Sequence, residues 1–272
     1  MTNHSPQPEA SNSSPDDLLI AISDYKKAGG RWPVAYDNLA KNTPEFARAV
    51  LRFLSLSQAN RRLDVKTEAF IQVALTASVT NLDPIGLRHS LTRAFELGAT
   101  RDELLEVLAL VSVLGIHSAT VNVPIVVEEM KAAGLPIELK EIDTARRELA
   151  DQYLIGSRYW DYFRDVFGDF IDGLLVLDPQ MFVAFMEFTN VPWQMGNLEL
   201  KVKELIYVAI DVATTHLYTD GARFHIRNAL AFGATPDELL EVIEIATVLS
   251  FRSLELALPI IEDIENSLKK NS

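Results

Sequence analysis

Apolar residues in this chain recur in steps of three and four rather than in alternation, and that spacing predicts helices. Beyond Asp237, the residues Leu239, Leu240, Ile243, Thr247 and Ser250 share one helical face, with Asp237, Glu241 and Glu244 elsewhere. No stretch combines sustained alternation with hairpin turn residues, so strands are not needed. The punctuation agrees. Thr43-Pro44 and Asp178-Pro179 each place a capping side chain before a proline, the preferred order at a helix start. Thr100-x-x-Glu103 and Thr235-x-x-Glu238 read as capping boxes. Each follows a glycine, Gly98 or Gly233, suited to the left-handed end of the preceding helix. The expected fold is all-α.

The pattern is written twice. Gly98-Ala-Thr-Arg-Asp-Glu-Leu-Leu-Glu-Val107 recurs as Gly233-Ala-Thr-Pro-Asp-Glu-Leu-Leu-Glu-Val242, identical at nine of ten positions with an offset of 135. The same offset pairs Pro44 with Pro179, Phe53 with Phe188, Lys66 with Lys201, Gly86 with Gly221, Arg88 with Arg223, Ala94 with Ala229 and Pro124 with Pro259. Two tandem helical-bundle units are therefore expected, at 20–136 and 155–270. A disordered tail is expected over 1–19 and a linker over 137–154, with the join near Gly134-Leu-Pro-Ile-Glu-Leu-Lys-Glu.

Composition narrows the chemistry. Asp and Glu number 38 against 25 Lys and Arg, a formal charge of −13, which disfavours nucleic acid and anionic membrane as partners. Hydrophobic residues make up 48%, a surplus that self-association would hide, so a homo-oligomer is expected. The absence of cysteine removes disulfides, thiolate metal sites and thiol nucleophiles. The polar opening MTNHSPQPEASNSSPD has no apolar signal core. The most apolar run, Leu104 to Val127, is interrupted by Glu106, Ser112, His117 and Asn122. These features suggest a soluble cytoplasmic protein.

The second unit carries Lys203-Glu204-Leu-Ile-Tyr-Val-Ala-Ile, then His225-x3-Ala229-x3-Gly233-Ala-Thr-Pro-Asp-Glu-Leu-Leu-Glu-Val. This run resembles the carboxymuconolactone decarboxylase and alkyl hydroperoxidase D superfamily, and the first unit resembles it more loosely. The resemblance implies small helical units that assemble into rings, with a two-unit chain similar to a fused dimer of them. In the superfamily's peroxidase branch two cysteines stand seven and four residues before the histidine. Tyr218 and Gly221 occupy those positions here, and Asp83 and Gly86 in the first unit. Thiol peroxidase chemistry is excluded, because no other side chain cycles through a disulfide. In the first unit Ser90 stands at the histidine's position and His89 one residue earlier, a turn of about 100 degrees along a helix. One competent site per chain is expected, in the second unit.

The resemblance implies a cofactor-independent lyase acting on a small carboxylated lactone or related ring acid. Loss of CO2 leaves a dienolate, whose oxygen must be stabilised and whose carbon must be protonated. His225 is the proton-transfer candidate, since imidazole titrates near neutrality. Glu204 could orient it, and Arg223 could fork a carboxylate. Tyr218, His216 and Trp193 are candidate substrate-binding residues. Each has a structural reading as well: a satisfied buried histidine, a Glu204–Arg223 ion pair, packed aromatics. His117, after an apolar run, reads as a core or interface histidine, and whether it joins Arg88 and His89 in an altered second site is open. No metal is expected, because His216-x8-His225 is not a ligand spacing. Two alternatives stand beside the lyase: a non-thiol isomerase or hydrolase using the same histidine, and a non-catalytic assembly or binding protein.

Overall fold

A computed structural model describes residues 15–135, 142–154 and 158–270. Among the described residues there is no strand, and the elements run α1 (Pro15–Lys27), α2 (Ala35–Asn42), α3 (Pro44–Leu54), α4 (Leu56–Ala59), α5 (Val65–Ala77), α6 (Pro84–Glu96), α7 (Arg101–Ser112), α8 (His117–Ala132), α9 (Thr144–Leu154), α10 (Arg158–Leu177), α11 (Pro179–Met195), α12 (Leu200–Val212), α13 (Thr219–Ala231), α14 (Pro236–Thr247) and α15 (Arg252–Lys270). Short 3₁₀ turns, Val113–Ile116 and Val248–Phe251, lead into α8 and α15. The fold is all-α, and its elements recur at the sequence offset: α5, α6, α7 and α8 begin 135 residues before α12, α13, α14 and α15.

The chain forms two compact units, residues 63–246 and residues 1–62 with 247–272. At the centre of the larger unit, α5 packs against α12. Both helices are buried over most of their length: every residue from Val202 to Asp211 is buried, the charged Lys203, Glu204 and Asp211 among them. α6 and α7 pack on α5, and α13 on α12. Beside them α8 lies on α10, and α10 on α11, around an aromatic cluster that includes Trp160, Phe163, Phe170, Phe182, Phe185 and Phe224. The apolar stretch from Arg101 to Ala132 is long enough to cross a membrane, but a 3₁₀ turn breaks it. Its α7 half buries Leu104, Val107, Leu110 and Val111 in this core.

In the smaller unit α15 packs on α2, and the core gathers Trp32, Tyr36, Leu39 and Val50 with Leu254 and Leu258. The Tyr36 hydroxyl donates to the Phe251 carbonyl at 2.7 Å, and the Arg31 guanidinium forks onto the Glu255 carboxylate. The last helix of each repeat thus packs on the opening helices of the other: α8 on α10, α15 on α2.

A buried ion pair ties the repeats within the larger unit. Lys203 Nζ lies 2.6 Å from a Glu106 carboxylate oxygen, both side chains are within 1% of full burial, and Lys203 also donates to the Pro192 carbonyl. Glu106 accepts from the Asn197 backbone N–H at 2.7 Å. Such a pair is tolerable in a dry core because its remaining donors and acceptors are met.

The local rules hold at most of the expected places. Both capping boxes form, with Thr100 and Glu103, and Thr235 and Glu238, bonding reciprocally. Gly98 and Gly233 take φ of +82° and +88°. Asp178 accepts from Gln180 and Met181. Thr43 does not cap α3; its hydroxyl donates back to the Leu39 carbonyl, closing α2 instead. On α14 the buried face is Leu239, Glu241, Val242, Ile245 and Ala246, and Leu240 and Ile243 are exposed. The buried Glu241 carboxylate accepts the Leu63 N–H, an interaction that periodicity of apolar residues cannot register. The expected tail extends too far: α1 starts at Pro15 and buries Leu18, while residues 1–14 lie outside the described residues. The expected linker over 137–154 contains α9, whose Ala150 and Leu154 enter the aromatic core, and residues 136–141 of the join lie outside the described residues.

Candidate active site

Two neighbouring helices build the site. On α12, Glu204, Tyr207 and Asp211 are spaced three and four apart and project from one face. On α13, Gly221 and His225 do the same. The His225 Nδ1 and a Glu204 carboxylate oxygen are 2.6 Å apart, with Glu204 fully buried and the His225 side chain 10% exposed. Tyr207 stacks on the imidazole at 4.5 Å, and Phe224 meets its edge at 5.2 Å. The ring is thereby fixed, with Nδ1 committed to Glu204 and Nε2 left for a ligand.

His225 closes a small cavity of about 30 Å³ whose walls include Tyr159, Phe163, Trp193, Tyr207, Tyr218 and Phe224. That volume is room for a water or two. Gly221 also lines it. A Cβ there would come within 2.2 Å of an Asp211 oxygen and 2.5 Å of the Tyr218 ring, so the close approach of α12 and the loop before α13 requires glycine. Leu217 in that loop has a φ of +49°, and its counterpart Leu82 has +39°.

Burial sets the protonation states. Burial of the His225 ring opposes its charge, but the adjacent Glu204 carboxylate and then Asp211 outweigh it, and its pKa rises above the usual 6.5. Burial raises Glu204 as well, and His225 only partly offsets this. The dyad therefore holds its protons tightly. Burial, with Glu204 nearby, pushes Asp211 up to about 7 against the opposing pull of His225. Burial and then the neighbouring imidazoles His216 and His225 push His117 down to about 3, so it is neutral at physiological pH. Burial, reinforced by Glu204, holds the phenols of Tyr159 and Tyr207 well above 10.

The structure joins some of the expected residues and separates others. His225, Glu204, Tyr218 and Trp193 meet in or beside the cavity. His216 lies at its edge, its Nε2 2.8 Å from His117 Nδ1. Arg223 does not belong to the site: it is exposed and absent from the cavity wall. Two positions along α13 is a rotation of about 200 degrees from His225, and Glu204 pairs with His225 in place of Arg223. Arg88 is exposed at the matching place. His117 does not join Arg88 and His89; helix α8 carries it across to the second repeat's cavity. Asp211, Tyr207 and Tyr159 were not singled out from the sequence. Asp211 alone gave a signal, as an acid inside the apolar run Leu205-Ile-Tyr-Val-Ala-Ile-Asp-Val-Ala.

A helical pair of repeats with a buried histidine–glutamate dyad facing an aromatic cavity defines a class, and comparison identifies it. Residues 179–263 match the carboxymuconolactone decarboxylase family. A crystal structure from Burkholderia xenovorans, of a candidate gamma-carboxymuconolactone decarboxylase subunit, is 37% identical to this chain, with a TM-score of 0.81 over 98% of this chain and 100% of that one. Among curated proteins none matches. The chain belongs to the carboxymuconolactone decarboxylase family.

Proposed function

We propose that the protein is a cofactor-independent lyase that removes CO2 from a small carboxylated lactone, with gamma-carboxymuconolactone the first compound to try. The observation that carries this reading is the buried His225–Glu204 dyad at the wall of an aromatic cavity. Aromatic walls disfavour a localised carboxylate and so favour its conversion to neutral CO2, with the remaining charge spread over a conjugated ring. The bond between the ring carbon and the carboxylate breaks, its electron pair enters the conjugated system, and negative charge is shared between the lactone carbonyl oxygen and a ring carbon conjugated to it. His225, kept protonated by Glu204, passes its Nε2 proton to that carbon and is recharged from water. The balance is one carboxylate replaced by one hydrogen, with one proton taken from solvent. Entry of a lactone would require these walls to part from the water-sized space they enclose here, after which Trp193 and Tyr218 would bound its ring and His216 its edge.

The test is release of CO2 from gamma-carboxymuconolactone by the full chain, with His225→Ala alongside. Turnover by the wild type and a loss of about 10²–10⁴-fold in the variant is the expected result. Full activity in His225→Ala would remove the histidine from the mechanism. A homo-oligomer belongs to the same reading, because α15 exposes Leu256, Ile260, Ile261, Ile264 and Leu268. Sedimentation of the wild type as a monomer would end that part of it.

A further inference from the structure

Beside the dyad lies a second cluster, of which the proposed decarboxylation uses only His216, at the edge of the substrate. Asp211 ends the site face of α12, His216 sits in the loop that follows, and His117 opens α8 from the other repeat. His117 Nδ1 and His216 Nε2 are 2.8 Å apart, and both face the same Asp211 oxygen, Oδ1, at 3.8 and 3.9 Å. A point equidistant from three atoms with these separations lies about 2.1 Å from each, the length of a zinc–nitrogen or zinc–carboxylate bond.

A second observation is independent of that triangle. The Asp211 side chain is 1% exposed, and neither of its oxygens has a hydrogen-bond partner. A buried carboxylate left without donors costs several kcal/mol unless it takes up a proton or a cation meets it. Among the described residues no lysine or arginine does so; the ionisable groups that act on it are His225 and another carboxylate, Glu204.

The ligand frame is also held in place. The two imidazole planes are within 6° of parallel, Tyr218 packs on His117 at 4.3 Å, and the Tyr218 N–H ties the loop to the Asp211 carbonyl at 2.9 Å. Gly221 leaves the space that the Asp211 carboxylate occupies. Held ligands of this kind are what a metal site needs, because the order is supplied before the ion arrives.

We propose that His117, Asp211 and His216 form a binding site for one divalent first-row transition ion. Two imidazoles and one carboxylate suit Zn²⁺, and equally Fe²⁺, Mn²⁺ or Co²⁺, and three protein ligands leave a position for water or a substrate oxygen. Because His117 lines the aromatic cavity, that ion sits at the cavity's edge. The corresponding positions 135 residues away hold Thr76, Asn81 and Arg252, which cannot reproduce the set, so among the described residues the cluster occurs once. The proposal stands on this geometry and does not depend on the reaction assigned to His225.

The experiment is equilibrium dialysis of the chelator-stripped full chain against Zn²⁺, with bound metal measured by elemental analysis. The wild type should take up one zinc per chain and melt at higher temperature with it. His117→Ala and the near-isosteric Asp211→Asn should retain their helical circular dichroism and lose about 100-fold or more in zinc affinity, beyond what removal of an outer-shell partner costs. Bound Co²⁺ should show a visible spectrum in the wild type that Asp211→Asn lacks. His225→Ala should keep the zinc, which separates failure of this site from failure of the decarboxylase reading. No stoichiometric uptake of Zn²⁺, Co²⁺ or Mn²⁺ by the wild type, or uptake unchanged in folded His117→Ala and Asp211→Asn, would overturn the proposal.

Discussion

Gln72, Thr76 and Asp83 stand in the first repeat where Tyr207, Asp211 and Tyr218 stand in the second. The first set makes hydrogen bonds to its own neighbours along the chain. Gln72 donates to Glu68 one turn back, the Thr76 hydroxyl donates to the Gln72 carbonyl, and Asp83 caps α6 by accepting the Gly86 N–H. The second set reaches across elements: Tyr207 stacks on His225, Tyr218 meets Thr120, and Asp211 accepts no hydrogen bond. Ser90 and Ala69, both buried, replace His225 and Glu204. The same helix pair therefore serves as scaffold in one repeat and as a charged, aromatic site in the other. A polar group satisfied within its own turn stabilises a helix, whereas one held unsatisfied or paired at distance is a cost that function explains.

The first test of that contrast is stability. Lys203 of the second repeat pairs with Glu106 of the first, but position 68, the counterpart of Lys203, is a glutamate. Lys203→Met strands a buried carboxylate and should lower unfolding free energy by about 3–5 kcal/mol in urea denaturation. A change under about 1 kcal/mol would show that the pair is not buried as described.

A smaller effect is expected of the glycine that the two repeats share. Gly221→Ala drives a methyl into Asp211 and Tyr218, and should cost about 1–3 kcal/mol by thermal unfolding and diminish turnover. Wild-type stability and turnover in Gly221→Ala would mean the loop yields freely.

The pH profile sharpens the role of the dyad. His225 has a raised pKa, so its protonated form is complete below 6.5 and is lost as pH climbs through the raised value. The alkaline limb of kcat should therefore lie above pH 6.5. In Glu204→Gln the burial effect prevails and the limb should move below 6.5. An unmoved limb would assign it to another group. The smallest effect is expected where the repeats agree. Lys66–Glu103 and Lys201–Glu238 are equivalent, partly buried pairs at 2.8 and 2.9 Å near the surface, and either Lys→Ala change should cost no more than about 1 kcal/mol by the same denaturation.

Helices, caps and the 135-residue offset were legible in the sequence, because each is a matter of neighbours along the chain. The contact between His225 and Glu204 was foreshadowed by the motif that carries both residues, whereas Gly221 stood out only as a glycine repeated at Gly86. Arg223 misled because adjacent motif positions diverge around a helix, and α14 misled because a buried glutamate breaks the apolar stripe it sits in. His117 could not be found from spacing: α8 exchanges between repeats and brings it beside His216, 99 residues on.

The central claim, that the chemistry resides in one repeat, is tested most directly by measuring CO2 release from gamma-carboxymuconolactone by wild type, His225→Ala and Ser90→Ala in one assay. The account predicts a loss of about 10²–10⁴-fold for His225→Ala and none for Ser90→Ala. Equal losses in the two variants, or none in His225→Ala, would contradict it.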